Sequence, residues 1–206
     1  MILAPTAENL IRAGNLIRAG ELVAFPTETV YGLGADGLNE NACRKIYAAK
    51  GRPSTKPLTL HVASFEQAAE LAEISPAAEK LFAEFLPGPL TIILPKKSIV
   101  PDFVTAGTQS VGIRFPANKV AQELIKISGR PIAAPSANLS GKPAPVTAQE
   151  VLENLGEKVP LILDGGECAV GISSTVLDMT AEPRILRRGK ISAEAIGKIL
   201  GREVFA

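Results

Sequence analysis

LVAFPTETVYGLGADG, residues 22–37, decides how the rest of the chain is read. Leu22-Val23-Ala24-Phe25 is a short apolar run that reads as a buried strand. Pro26 ends its hydrogen-bond ladder, because proline has no N–H to give. Polar groups then crowd together: Thr27, Glu28, Thr29 and Tyr31, followed by Gly32, Gly34 and Gly37. Two readings stand at this point. In one, the glycines adopt positive φ and bring backbone N–H groups against an anionic ligand. In the other, the stretch is a hairpin or strand-to-loop turn with the Thr and Tyr side chains exposed.

On its N-terminal side the hexapeptide NLIRAG occurs twice in tandem, over residues 9–20. A six-residue period is too short for a helical array, and Leu10, Gly14 and Ile17 share one face at helical spacing. The expectation is one amphipathic helix capped by Thr6 and ended by Gly20. On the C-terminal side, Asn39 caps a helix over residues 40–50, with Cys43, Ile46 and Tyr47 inward. Its end and the stiff loop beyond it carry Arg44, Lys45, Lys50, Arg52 and Lys56. The strand at residues 58–62 follows, and alternation puts Thr59 and His61 on the face opposite Leu58, Leu60 and Val62.

Further along, Ser64 to Gln67 has the spacing of a capping box, and Ser75-Pro76 opens a helix that runs to about Phe85. Strands are expected at residues 90–94, 111–116, 131–134 and 161–163 and from Gly171 onward, with an edge strand at 184–187. Helices are expected at residues 118–128, after the Thr147-x-x-Glu150 capping box, and after Ser192. Several strand ends release loops dense in hydroxyl and amide groups: Pro26, Pro135, Asp164 and Gly171. Arg114 lies among apolar neighbours in its strand. A buried guanidinium needs an anionic partner or several acceptors. No acid adjoins it in sequence; a distant Asp or Glu is one candidate partner and a ligand carboxylate or phosphate the sharper one. On that reading, Arg114→Ala impairs turnover and leaves the melting temperature roughly intact.

At 206 residues and 46% hydrophobic, the chain is long enough to bury a core and short enough for one domain. No apolar run approaches a bilayer span, and the start lacks a basic region before an apolar stretch, so no signal peptide and a cytoplasmic location are expected. Cys43 and Cys168 lie far apart, without disulfide or zinc spacing. A net charge of +1 argues against a protein that binds nucleic acid chiefly through phosphates. With a single His, His-rich metal sites and most triads with a His base are excluded. Walker A, G-x-S-x-G and H-E-x-x-H are absent. Lysines, arginines and small donors suit a polyanion beside a small polar molecule. Phosphoryl and nucleotidyl transfer need little else, since their acceleration comes from in-line positioning and charge neutralisation.

Seven blocks in one order carry a family resemblance: AFPTETVYGLGADG, KGRP-x-x-KPLTLHV, PGPLTIIL, SVGIRFP, APSANLSGKPAP, GISSTV and ILRRG. Over residues 9–199 the chain resembles the YrdC/TsaC family of threonylcarbamoyl-AMP synthases, in its short form without the extra C-terminal domain of some relatives. The resemblance implies an α/β fold, with residues 1–206 forming a single YrdC-like domain: a twisted mixed sheet flanked by helices around a large concave cavity. It implies that L-threonine, bicarbonate and ATP give L-threonylcarbamoyladenylate and pyrophosphate, for N6-threonylcarbamoyladenosine in tRNA. It further implies Mg²⁺ bound with ATP, and a product passed to the tRNA threonylcarbamoyl transferase complex. Direct tRNA contact is compatible with this but not required, and no membrane is involved.

Carried onto matching positions, the resemblance places Lys50 and Arg52 at the ATP phosphates as the catalytic pair. Lys56, Ser110, Ser136, Ala144 and Arg188 fall at nucleotide positions. Thr29, His61, Arg114, Ala134 and Ser174 fall at the threonine pocket, and Thr27 and Tyr31 belong to the same opening motif. Ser173 stands where relatives often have Glu. Two other classes compete: an RNA-binding module without chemistry, suggested by the basic residues 44–56, and an amidohydrolase using Ser136, Ser140 and Lys142. Pro143 restricts that lysine, and no oxyanion-hole signature accompanies it.

Overall fold

Val23–Phe25 of the apolar run at residues 22–25 form a central strand, and the side chains of the run alternate between two cores. Val23 and Phe25 join one buried cluster, and Leu22 and Ala24 join the other. A continuous hydrophobic run at a strand buried on both faces has this cause. The structure is a computed structural model and describes residues 1–205.

In chain order the elements are β1 (Ile2–Leu3), α1 (Ala7–Arg18), β2 (Val23–Phe25), β3 (Gly32–Asp36), α2 (Glu40–Lys50), β4 (Thr59–His61), α3 (Phe65–Leu71), α4 (Pro76–Phe85) and β5 (Leu90–Pro95). Then come β6 (Ser110–Arg114), α5 (Lys119–Ser128), β7 (Ile132–Ala133), α6 (Ala148–Leu155), β8 (Leu161–Leu163), β9 (Thr175–Asp178), β10 (Arg184–Arg187) and α7 (Ala193–Leu200). The strands form one mixed, twisted sheet in the order β1-β8-β2-β3-β7-β4-β6-β5-β9-β10. β4 and β6 run parallel with His61 beside Arg114, while β5 and β6 run antiparallel. α1 and α5 cover one face of the sheet through Ala13, Ile17, Leu124 and Ile125, packed with Val23 and Phe25. The opposite face carries the larger core, which includes Leu60, Ile92, Ile113 and Leu177.

Helix starts follow the sequence signals. Thr6, Asn39, Ser75, Asn118, Thr147 and Ser192 each accept a backbone N–H at an N-cap. Thr147 and Glu150 form the reciprocal capping box. The expected box at Ser64 is half-formed: Ser64 Oγ accepts from Gln67 N, but Gln67 Oε1 accepts from Ala63 N at 2.9 Å, one residue before the cap. β10 is an edge strand as expected. β1 is an element the sequence did not announce; it has two residues, and its reason for existing is parallel pairing with β8.

The opening stretch needs a correction. Gly32 and Gly34 lie in β3, which pairs antiparallel with β2, so the stretch is a hairpin. Neither these glycines nor Gly37 has positive φ. They are small because the neighbours are close: a Cβ on Gly34 would lie 2.7 Å from both Ile132 Cγ2 and Phe25 Cε1. The anion-binding nest therefore falls away at these three positions. The other reading is corrected too, since Thr27, Thr29 and Tyr31 are buried.

Candidate functional site

Thr59 and His61 of β4, Thr91 of β5 and Arg114 of β6 project from one face of the sheet into a cavity. Its void measures about 550 Å³ with the solvent at its mouth included. Gly112 helps to make the floor. A Cβ there would come within 3.3 Å of Thr91 and 3.4 Å of Thr59. Loops at the strand ends build the walls, with Val30, Arg52 and Pro57, then Ala134, Pro135 and Ser136, then Ser173 and Ser174, and Arg187 joins them from the last position of β10.

The loop at residues 27–31 is folded by its own hydroxyls. Thr27 Oγ1 donates to Val30 O at 2.7 Å and accepts from the N–H groups of Thr29 and Val30. Val170 N donates to Glu28 O and Gly171 N to Thr29 O, joining this loop to the segment that carries Ser173 and Ser174. Ala137 N donates to Tyr31 O at 2.8 Å, and Gly32 bridges Ser136. The loops at 27–31 and 136–142 therefore stand side by side. Tyr31 does not face the cavity; its hydroxyl donates to Gly166 O at 2.8 Å, and burial raises its pKa.

Of the two partners considered for Arg114, a distant acid and a ligand anion, the structure supplies the acid and corrects the preference for the ligand. Its Nη2 donates to Glu28 Oε1 at 2.8 Å and Thr29 Oγ1 at 2.7 Å, with Thr27 Oγ1 at 3.3 Å. Arg114 is buried and Glu28 partly so, with side chains 6% and 13% exposed. The partner lies 86 residues away in sequence, which is why no local pattern revealed it. The guanidinium still lines the cavity, its Nε is buried without a partner, and its protein bonds run through Nη2. A substrate anion would thus meet a cation already half-balanced by an internal carboxylate.

The other cations divide. Arg52 lines the cavity and donates from Nη2 to Pro57 O. Lys50 is 2% exposed and lies behind the wall, its Nζ donating to the carbonyls of Ser136 and Asn138. The structure therefore has it gripping the 136–142 loop rather than open to phosphate. Burial, then the charge of Arg52, lowers its pKa to about 8. Lys56 and Arg188 are exposed, Ser110 and Ala144 are half-buried, and none of these four lines the cavity.

Arg187 does line it. Its Nε donates to Ser174 O and its Nη2 to Ser174 Oγ, both at 3.0 Å, and Ser174 Oγ shares a 2.8 Å hydrogen bond with Thr91 Oγ1. Burial, then the charges of Arg114 and Arg52, lowers the Arg187 pKa. Sequence reasoning missed both Thr91 and Arg187. Thr91 was findable, because it alternates with Leu90 and Ile92, which face the core. Arg187 was not, because a bulge intervenes: Ile185 pairs with Leu177 but Arg187 with Val176, which turns it to the face opposite Ile185.

Replacing Lys50 by Met is expected to speed amide exchange at residues 136–140 and to lower activity. The melting temperature should shift little, since relief of a buried charge offsets two lost hydrogen bonds. Unchanged exchange in that loop would contradict the anchoring role.

His61 is 3% exposed and sits edge-on to Phe25 with ring centroids 6.2 Å apart. Burial, then the Arg114 charge, lowers its pKa to about 3. The folded pKa is below the unfolded one, so the unfolded chain takes up the proton first as pH falls. This contribution is fully present above about pH 6.5 and is lost toward pH 3, at up to roughly 1.4 kcal/mol per pH unit. Urea unfolding at pH 7.5 and 5 should show the decline in the native protein and a weaker one in His61→Gln. Equal slopes would show that another group causes it.

Comparison with known proteins bears on this site. A family model described as "Sua5_yciO_yrdC: Telomere recombination" matches residues 15–189. A curated threonylcarbamoyl-AMP synthase of Pyrococcus abyssi is 53% identical over 182 residues, covering 87% of this chain and 54% of the relative. One from Bacillus subtilis is 46% identical over 202 residues, covering 97% and 58%. The chain thus spans little more than half the length of these two relatives. A crystal structure of Pyrococcus abyssi Sua5 complexed with L-threonine superposes with a TM-score of 0.97 at 48% identity, covering all of this chain and 62% of that one.

Proposed function

Because this chain belongs to the Sua5_yciO_yrdC family, we propose that it makes L-threonylcarbamoyladenylate and pyrophosphate from L-threonine, bicarbonate and ATP. Bicarbonate and the threonine ammonium give the N-carboxylate, releasing water and a proton. A carbamate oxygen then attacks the α-phosphorus in line, the bond to the bridging β-phosphate oxygen breaks, and pyrophosphate leaves. The reaction is adenylyl transfer and makes the enzyme a nucleotidyltransferase.

The observation that carries this reading is the convergence of Arg52, Arg114 and Arg187 with Thr91, Ser136 and Ser174 on one cavity, in a chain that superposes on a threonine-bound relative. Fixed cations and hydroxyls neutralise charge on transferring and leaving phosphates, and no protein nucleophile is needed. Arg52 and Arg187 take the phosphate tail. Arg114, His61, Ala134 and Ser174 hold the amino acid, and Lys50 acts by keeping the loop that carries Ser136 in place. Magnesium enters as part of the ATP substrate, keeping waters of its own. Among the described residues no cluster of three His, Cys, Asp or Glu side chains is placed to hold a metal, and Glu28 is committed to Arg114 and Ala117. The adenylate passes to a tRNA-modifying transferase in the cytoplasm; no described helix is long and apolar enough to cross a membrane.

Pyrophosphate release from ATP tests the proposal. It should require both threonine and bicarbonate and proceed without RNA. RNA binding with no such release would favour the non-catalytic RNA-binding module instead.

A further inference from the structure

Resting on that reading of the cavity, we propose that Glu28 is a positioning residue that aims Arg114 at the amino-acid substrate and links the orientation of that guanidinium to the loops around it. Its carboxylate faces two donors. Oε1 accepts from Arg114 Nη2 at 2.8 Å, and Oε2 accepts from the backbone N–H of Ala117 at 3.1 Å. Its own carbonyl accepts from Val170 N at 2.9 Å. One residue thus ties together the cavity's arginine, the segment leading from β6 into α5, and the segment leading to Ser174.

The guanidinium is planar, so fixing Nη2 fixes its whole plane. With Nη2 held by Glu28 and Thr29, the direction of Nη1 is set before any substrate arrives. The residue is therefore doing more than neutralising a buried charge: a carboxylate is needed because both of its oxygens meet N–H donors. Glutamine has nearly the same shape but offers one oxygen and one amide NH₂, so one of the two donors would face another donor. Threonine hydroxyls flanking the pair, Thr27 and Thr29, remain in either case.

Two measurements on the full chain test this. In the ligand-free protein, NMR of the arginine side chains should show the Arg114 Nη protons as separate signals from hindered rotation, identified by their loss in Arg114→Lys. In Glu28→Gln they should merge, and in Glu28→Asp shift partway. Signals unchanged in Glu28→Gln would overturn the proposal, and this arm stands even if threonine proves not to be the substrate. The second arm is binding. Threonine affinity should fall ten- to hundredfold in Glu28→Gln, with ATP affinity nearly unchanged. In an Arg114→Lys background the same change should have little effect, because Glu28 acts through Arg114. Equal losses for threonine and ATP, or full additivity with Arg114→Lys, would mark Glu28 as merely structural and overturn it. Should Glu28→Gln fail to fold, Glu28→Asp is carried through the same cycle with the same criteria.

Discussion

Arg114→Ala is expected to lower the free energy of unfolding by up to about 3 kcal/mol, because it leaves the partly buried Glu28 carboxylate, 13% exposed, with only the Ala117 N–H as a partner. Threonine-dependent turnover should be lost with it. This reverses the sharper of the two expectations from sequence, in which a ligand anion was the partner of Arg114 and its removal left stability intact; the distant acid that was the other candidate is Glu28. The physical difference is the internal acid: removing one partner of a buried pair is far more damaging than removing both. Arg114→Ala with Glu28→Ala should accordingly recover much of the lost stability while remaining inactive. Urea unfolding of the two single variants and the double variant reads this directly, and an Arg114→Ala protein as stable as the native one would remove the pair from the account.

Gly189→Ala should be nearly as damaging to activity, from a residue that touches no cavity group by a side chain. A Cβ at this position would sit 2.6 Å from Ser173 O and from Ser174 C, and closer still to Thr175 N. These are backbone atoms, so rotamer changes bring no relief. The strand end carrying Ser173 and Ser174 must move, and Ser174 is held on both sides, by Thr91 and by Arg187. A displacement of about 1 Å at such a point corresponds to roughly a hundredfold loss of turnover, with about 1–3 kcal/mol of stability lost to overpacking. Steady-state pyrophosphate release gives the first number and denaturant unfolding the second; native-like kinetics would mean that the loop yields freely.

How much of this was legible in the sequence depends on the range of the cause. Local causes read well. The run at residues 22–25 read as a buried strand, the caps at Thr6, Asn39, Ser75 and Thr147 gave helix starts, and alternation at 58–62 set Thr59 and His61 on one face, which the fold turns toward the cavity. Non-local causes did not. Gly32 and Gly34 suggested positive φ, but their smallness serves Phe25 and Ile132, and Ile132 is contributed by a strand about a hundred residues away in the chain. Glu28 and Arg114 meet only because the hairpin end at 27–31 is folded against the end of β6. Arg187 turns toward the cavity only because of a bulge, and a bulge has no fixed signature in residue type. Lys50 belonged to a recognisable basic segment, yet what its ammonium grips, the carbonyls of Ser136 and Asn138, depends on how two distant loops adjoin.

The most direct test of the central claim, that one cavity joins a threonine carbamate to the adenylyl group of ATP, follows the carbon of bicarbonate. With ¹³C-labelled bicarbonate, threonine, magnesium and ATP, mass spectrometry should find the label in a threonylcarbamoyl adenylate formed without RNA, in amounts equal to the pyrophosphate released. Pyrophosphate release with the label absent from any adenylate, or a label found in adenylate when threonine is withheld, would contradict it.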